Sequence, residues 1–152
     1  WKAIQQHYTG TPYWNRYRET IRHLYERRWE SLADLNIFAI EYIAGELGIA
    51  PTIARSSEMA ARGQRVNLLI DLCHEVKADV YLSPSGAATY IEQDNRFAEE
   101  GITLEYHQYA PISYRQRYGP FIPRLSVIDL LFDEGPRSLE IIRAGRGHHV
   151  GN

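Results

Sequence analysis

The chain has 152 residues, a formal net charge of −2 and one cysteine, with 44% hydrophobic and 24% charged residues. These values are typical of a globular domain with its own core, and they exclude a disulfide framework and a multi-cysteine zinc site. The near balance of charge disfavours a nucleic-acid partner. The sequence contains no apolar run of about 18 residues, so it predicts no membrane span.

The sequence begins at Trp1, without a basic segment followed by an apolar one. We therefore expect no secretory signal and a cytoplasmic location. Because the first residue is not methionine, we interpret the chain as the C-terminal portion of a longer protein. Residues 1–145 are predicted to form a single α/β domain, and residues 146–152, which have no periodic pattern, are predicted to be a flexible tail.

Two helices are predicted at the start of the chain. The first carries Trp14, Tyr17, Ile21 and Leu24 at helical spacing. The second has the sequence SLADLNIFAIEYIAGEL, in which the serine is a typical N-cap and the following Gly48 a typical terminator. Together they predict a helical hairpin lobe over residues 1–48.

Helices and strands alternate over residues 49–145, which predicts an α/β core. A weak strand is expected at residues 50–55, a buried one at residues 79–83 and an alternating one at residues 102–109. The clearest helix follows Gly63 and carries an apolar stripe that includes Cys73 as a core residue. The fold class is therefore α/β: a small, mostly parallel sheet flanked by helices, behind the N-terminal hairpin.

The turn after the second predicted strand is the strongest candidate binding site. The strand ends at Ser83, and a helix is expected to begin near Gly86, so that Ser83, Ser85 and Gly86 lie at a helix N-terminus after a strand. Free N–H groups at such a position bind phosphate or carboxylate. The structural alternative is a tight turn capped by serine.

Three further residues are candidate anion ligands. Ser56 and Ser57 follow Arg55 ahead of a short helical turn, and Arg65 flanks the apolar stripe of the next helix. Serine hydroxyls and an arginine suit an anion. The alternatives are helix capping by the serines and a surface arginine that covers apolar residues with its stem.

The loop of residues 110–123 contains three prolines and reaches a length at which function becomes common. We expect it to act as a lid that brings Tyr114 and Gln116 to the substrate; the alternative is a static surface loop. Asp129 is the carboxylate selected as a general base. Because it follows Ser126 by three residues, it is equally well placed for a capping box.

Asn36 lies in the helical phase of Leu32, Ile40 and Ile43. A carboxamide on an apolar face needs hydrogen-bond partners. We therefore expect Asn36 to bind a neighbouring backbone segment or, alternatively, a ligand.

Several ordered motifs between Tyr8 and Ala144 resemble the WbqC-like family. They are LADLN at residues 32–36, RSSEM and LLIDLC within residues 55–73, ADVYLSPSGAATYI at residues 78–91, GITLEYHQY at residues 101–109 and FIPRLSVIDLLFDEG at residues 121–135. The shared positions are Asn36, Ser57, Arg65, Ser83, Ser85, Gly86, Pro123, Ser126 and Asp129. The family's usual opening strand and His-Gln-Pro motif are not found in this sequence.

The resemblance implies a bacterial protein of lipopolysaccharide O-antigen biosynthesis, with transfer of an aminoacyl or acyl group to a nucleotide- or lipid-linked amino sugar. The expected partner is a sugar nucleotide or another anionic small molecule. No metal or cofactor is expected, because no nucleophile elbow, HExxH motif or cluster of metal ligands occurs. The alternative function is a non-catalytic module that docks a partner protein.

Overall fold

The computed structural model describes residues 1–87 and 95–150, and it divides the chain into two compact units. Unit 1 comprises Trp1–Pro51 and Pro111–Gly145, and unit 2 comprises Thr52–Ala110 and Arg146–Asn152. The first boundary lies close to the predicted end of the hairpin lobe at residue 48. Residues 111–145 differ from the predicted division, because they group with the N-terminal helices rather than with the sheet.

Helices and strands follow one another along the chain with short 3₁₀ turns at Ser56–Glu58, Ser85–Ala87 and Gly135–Arg137. The helices are α1 (Lys2–Tyr8), α2 (Trp14–Glu26), α3 (Leu32–Glu46), α4 (Val66–Val76), α5 (Arg96–Glu99), α6 (Val127–Glu134) and α7 (Ser138–Ala144). The strands are β1 (Val80–Pro84), β2 (Thr103–Tyr109) and β3 (Arg146–Val150).

The core of unit 1 is aromatic and joins α2 to α6. Trp14 and Tyr17 of α2 are buried with Phe132 of α6, whose ring centroid lies 5.2 Å from that of Trp14. Tyr8 stacks on the same phenylalanine at 5.0 Å. Such pairs contribute about 0.5–1.5 kcal/mol each beyond the area that they bury. The first two helices are therefore fixed against a helix that follows much later in the chain.

Helix α3 has the predicted N-cap and the predicted terminator, but Asn36 does not have its predicted role. The Ser31 Oγ accepts a hydrogen bond from the Asp34 N–H at 3.1 Å, and Gly48 follows the helix with a φ of +70°. Asn36 is exposed, as are Leu32 and Ile40, at 73% and 58%. The expectation of a buried amide was wrong, because only the later part of this stripe, at Ile43, packs against the unit 1 core.

The core of unit 2 confirms the apolar stripe of α4. Val66, Ile70 and Cys73 are buried together with Phe97 and Ile102. Burial of such side chains contributes about 1.5–3 kcal/mol each for the larger ones. The apolar stripe predicted from helical spacing therefore packs in the core of unit 2.

Two acidic side chains of α4 hold the loop that precedes the helix. Glu75 accepts hydrogen bonds from the backbone N–H groups of Ala60 and Ala61 at 2.9 and 3.0 Å. Asp71, one turn earlier, accepts the Gly63 N–H at 3.1 Å. All three backbone donors are thereby satisfied without a regular secondary-structure partner.

The sheet has the order β1-β2-β3 and is mixed. Strand β1 is parallel to β2, with Val80 opposite Thr103, and β3 is antiparallel to β2, with Arg146 opposite Tyr109. The small α/β fold is thus confirmed, while the prediction of a mostly parallel sheet was wrong. Residues 146–150 form β3 rather than a flexible tail, because strand pairing uses backbone groups and does not require a periodic side-chain pattern.

The weak strand predicted at residues 50–55 is not formed. These residues are exposed and have no strand pairing in the described structure. Pro51 has no N–H to donate, which favours an irregular segment over a strand.

Candidate functional site

The candidate site is built around two aspartates of helix α6. Asp129 and Asp133 are one helical turn apart, so that their side chains lie on the same face. They are only 5% and 9% exposed. A buried carboxyl group destabilises the fold unless it is hydrogen-bonded, and the partners of these two groups therefore decide what the site can do.

Asp129 is surrounded by hydrogen-bond donors. The Tyr8 hydroxyl donates to its Oδ1 at 2.9 Å, and its Oδ2 accepts the Tyr114 hydroxyl at 2.6 Å and the Gln116 Nε2 at 3.1 Å. The Ser126 side chain does not cap α6, so the capping-box alternative for Asp129 is not formed. Asp129 therefore holds α1 and the loop of residues 110–123 against α6.

The two tyrosines of this cluster remain protonated at neutral pH. Burial, and next the hydrogen bond to Asp129, raises the pKa of both Tyr8 and Tyr114. Their hydroxyls are therefore donors to the carboxylate. This arrangement suits a residue that positions its neighbours, and the role of Asp129 as a general base stays a prediction.

The side chain of Gln116 joins two parts of the loop of residues 110–123 by hydrogen bonds to the backbone of Ile122. Its Nε2 donates to the Ile122 carbonyl at 3.0 Å, while its Oε1 accepts the Ile122 N–H at 2.7 Å. The Tyr114 ring packs edge-on against Phe121, with centroids 5.3 Å apart. The loop is thus attached to α6 at residues 114–116, and its movement as a lid stays a prediction.

Asp133 differs from Asp129 because it has unused hydrogen-bonding capacity. Its Oδ2 is buried and has no hydrogen-bond partner within residues 1–87 and 95–150. Burial, and next the negative charge of Asp129, raises the pKa of Asp133 to about 6, although the backbone N–H of Arg117 opposes this shift. Asp133 can therefore exchange a proton near neutral pH.

Asp133 forms part of the wall of a cavity of about 410 Å³ in unit 1. Three arginines contribute to the lining against two carboxyl groups, and one of the arginines, Arg137, contacts Glu134 at 3.3 Å. The lining residues are Gly10, Thr11, Pro12, Tyr13, Arg115, Gln116, Arg117, Asp133, Glu134 and Arg137. We refer to this space as the arginine cavity.

The backbone of Gly10 packs directly on the side chain of Arg117. A Cβ atom at position 10 would lie 2.8 Å from the Arg117 Nη1, and the φ of +94° is one that favours glycine. The guanidinium also lies 5.2 Å from the Tyr118 ring centroid. The absence of a side chain at Gly10 therefore allows the guanidinium to lie beside the chain at the cavity wall.

Ser56, Ser57 and Arg65 lie in unit 2 and are exposed. The two serines belong to the 3₁₀ turn Ser56–Glu58. The N-cap of this turn is Arg55, and its side chain makes no capping hydrogen bond. Arg65 precedes α4 with a φ of +53°. Their hydroxyl and guanidinium groups are accessible, and their role in anion binding stays a prediction.

The turn predicted after β1 is present as the 3₁₀ turn Ser85–Ala87. Ser85 and Gly86 are exposed, whereas Ser83 is buried and its hydroxyl makes a long contact of 3.4 Å with the Pro84 carbonyl. Gly86 does not have a positive φ, and a Cβ there would meet nothing within 4 Å. The helix predicted to begin near Gly86 falls largely on residues 88–94, which lie outside the described residues.

The predicted site residues thus fall into two groups. Tyr114, Gln116 and Asp129 converge in unit 1. The other six, Ser56, Ser57, Arg65, Ser83, Ser85 and Gly86, belong to unit 2.

Sequence reasoning missed Asp133, Tyr8 and Arg137. The spacing of Asp129 and Asp133 at i and i+4 around the apolar run LLF is a signal that could have identified the second acid. No local signal points to Tyr8, because it lies 121 positions before its partner.

Unit 2 contains a more apolar cavity of about 590 Å³ between α4, β1 and the segment before α4. Its lining residues are Thr52, Ala54, Ser56, Met59, Leu69, Leu72, Cys73, Val76 and Tyr81. Burial raises the pKa of the Cys73 thiol, so this cysteine is protonated at neutral pH and behaves as a core residue.

Within the part of the chain that the structure describes, no group of three or more His, Cys, Asp or Glu side chains is arranged to hold a metal ion. None of the described helices has both the length and the apolar character needed to cross a bilayer.

The sequence model of the WbqC-like protein family matches residues 1–141, and the chain therefore belongs to this family. It is also similar to the uncharacterised protein Rv1507c of Mycobacterium tuberculosis (strain ATCC 25618 / H37Rv), with 26% identity over 145 residues. The alignment covers 94% of this chain and 62% of that relative, so the chain spans about three fifths of the relative's length. No solved structure shows significant similarity to the chain.

Proposed function

We propose that this chain is the substrate-binding part of a cytoplasmic bacterial transferase. Its substrate is an amino sugar linked to a nucleotide or a lipid, and the transferred group is an acyl or aminoacyl group added during O-antigen synthesis. Membership in the WbqC-like family supports this proposal. The observation that carries it is the arginine cavity, whose size and donors suit a phosphate-bearing ligand.

Arginine is the side chain best suited to the phosphate groups of such a substrate, because its planar guanidinium donates two parallel hydrogen bonds to an oxyanion. Arg115 and Arg117 belong to the loop that Asp129 and Gln116 hold against α6. In the proposed function, Asp129 fixes this loop and the two arginines bind the anion. The Ser85 turn and Ser57 of unit 2 are the second candidate anion site.

The proposal is tested by calorimetric titration with a UDP-linked amino sugar at pH 7. Replacing Arg115 and Arg117 together by glutamine should weaken binding at least tenfold, because two charge-assisted contacts are lost. The matched control is Arg22→Gln, since this exposed arginine of α2 pairs with Glu26 and does not line the cavity. The double variant Ser57→Ala/Ser85→Ala reports on unit 2 in the same titration.

Unchanged affinity in the arginine double variant would exclude the arginine cavity as the anion site. Loss of binding in the serine double variant alone would place the anion in unit 2.

The second candidate is a non-catalytic module that docks a partner protein. The exposed Leu32 and Ile40 on α3 favour it, because apolar side chains at a protein surface are available to bind a partner. A folded chain that binds none of a panel of sugar nucleotides would favour this module over the transferase.

A further inference from the structure

The unpaired oxygen of Asp133 is the feature of unit 1 that the fold itself does not explain. The side chain is about nine-tenths buried, and its Oδ2 has no donor among the described residues. A buried polar atom without a partner destabilises the fold, and native proteins have few of them. Because Asp133 is part of the wall of the arginine cavity, a ligand in that cavity can supply the missing donor.

The charges that surround Asp133 indicate what kind of donor is suitable. The carboxylates of Asp129 and Glu134 oppose a negative charge on Asp133, and Tyr8 and Tyr114 are neutral neighbours. Arg117 opposes their effect, through its backbone N–H and its charge. A cationic donor from a ligand would therefore be favoured over a neutral one, because it also offsets the excess of negative charge at this end.

The other part of the cavity has the opposite character. Arg115 makes no ion pair or hydrogen bond with any residue that the structure describes. The Arg117 guanidinium lies 5.2 Å from the Tyr118 ring centroid, and its charge acts on Asp133 without a direct ion pair among the described residues. An anionic group is the natural partner of these guanidiniums.

We infer that the arginine cavity recognises a small zwitterionic ligand, whose anionic group binds Arg115 and Arg117 and whose ammonium group donates a hydrogen bond to Asp133. This inference rests on the anion site of the proposed function and adds the ammonium as a second recognition element. The volume of about 410 Å³ accommodates a phosphate joined to an amine by a short linker.

The inference is tested with two ligands that differ only in the amine. Phosphoethanolamine and ethyl phosphate carry the same anion, and they are titrated calorimetrically into the wild-type chain at pH 7.5. Phosphoethanolamine should bind at least tenfold more tightly, because a charge-assisted hydrogen bond to a buried carboxylate forms only with the amine. Phosphocholine keeps the positive charge but has no N–H group, and it should lose most of that advantage.

Asp133→Asn should abolish the preference for phosphoethanolamine while leaving the affinity for ethyl phosphate unchanged or higher. Gly10→Ala should weaken both ligands equally, because the new Cβ displaces the Arg117 guanidinium. Gly48→Ala is its matched control, since it has a similar positive φ and nothing within 4 Å of the added atom.

Equal affinities of the wild-type chain for phosphoethanolamine and ethyl phosphate would overturn the inference and leave the anion site intact. If neither phosphate binds while the UDP-linked amino sugar does, the inference is again overturned and the proposed function stands. If the UDP-linked sugar also fails to bind, the proposed anion site is lost as well. The wild-type ratio requires no variant, so the test does not depend on Asp133→Asn folding.

Discussion

Each unit contains a pair of acidic residues spaced i and i+4 on a helix, and each pair holds a loop. The two pairs differ in whether all of their carboxylate oxygens have hydrogen-bond partners or contact with water. In unit 2, Asp71 and Glu75 are exposed and accept backbone N–H groups of residues 60–63. In unit 1, Asp129 and Asp133 are buried, and Asp129 accepts side-chain donors from two distant segments.

The comparison shows that the same spacing produces a structural clip or a candidate site according to burial. The unit 2 pair is exposed to solvent and accepts hydrogen bonds from the preceding loop, so its carboxylates need no further partner. In unit 1, burial removes water as an alternative partner, and one carboxyl oxygen of Asp133 is left unsatisfied. An acid in this situation requires a proton or a ligand.

Asp129→Asn should produce the largest effect. An asparagine offers one acceptor oxygen and two donor hydrogens where three donors now converge, and so part of the network is left unpaired. We expect the free energy of unfolding to fall by about 2–4 kcal/mol, measured by urea denaturation. The control Asp79→Asn, an exposed residue, should change it by less than about 0.5 kcal/mol. A loss below about 1 kcal/mol for Asp129→Asn would show that its network does not hold unit 1 together.

The pH dependence of stability should distinguish the buried pair from the exposed one. The pKa of Asp133 is raised from 3.8 to about 6 in the folded state, so the folded chain binds this proton more tightly than the unfolded chain. The stabilisation is fully present below pH 3.8 and is lost as the pH rises through about 6.

We therefore compare the free energy of unfolding of the wild type with that of Asp133→Asn. Relative to the variant, the wild type should lose about 1–3 kcal/mol of stability between pH 4 and pH 7. Urea denaturation at both pH values measures it, and the subtraction cancels the titration of other groups. A difference that does not change with pH would mean that Asp133 titrates alike in both states.

Glu75→Gln should have the smallest effect. The amide oxygen still accepts one backbone N–H, and the exposed carboxylate contributes little through its charge. We expect a loss of about 0.5–1 kcal/mol, with faster hydrogen exchange at the Ala60 and Ala61 amides. Glu99→Gln, at an exposed residue of helix α5, is the control and should leave both amides unchanged. A loss as large as that of Asp129→Asn would remove the distinction between the two pairs.

Local patterns in the sequence predicted the elements that depend on local physics. The Ser31 cap, the turn at Gly48 and the buried stripe of α4 are each determined by residues within a few positions of one another. Strand β3 was not predictable in this way, because its pairing with β2 depends on backbone groups brought from a distant part of the chain.

The candidate site was predictable only in part, for the same reason. Tyr114 and Gln116 were selected as loop residues and Asp129 separately as a carboxylate, and the structure joins them in one network. Tyr8 and Asp133 were missed because their roles depend on burial, and burial is a property of the assembled unit. Asn36 was misjudged because helical periodicity identifies an apolar stripe but does not show whether another element covers it.

The aromatic core of unit 1 also determines when this unit can form during synthesis. The hydrogen bond from Tyr8 to Asp129 cannot form until Asp129 has been translated, 121 positions later. The ring contact between Trp14 and Phe132 is delayed similarly. At ribosomal speeds this delay is roughly ten seconds, during which the apolar face of α2 lacks its contacts with α6. Synonymous codons that slow translation of residues 52–110 would therefore lengthen this delay without altering any residue of the protein.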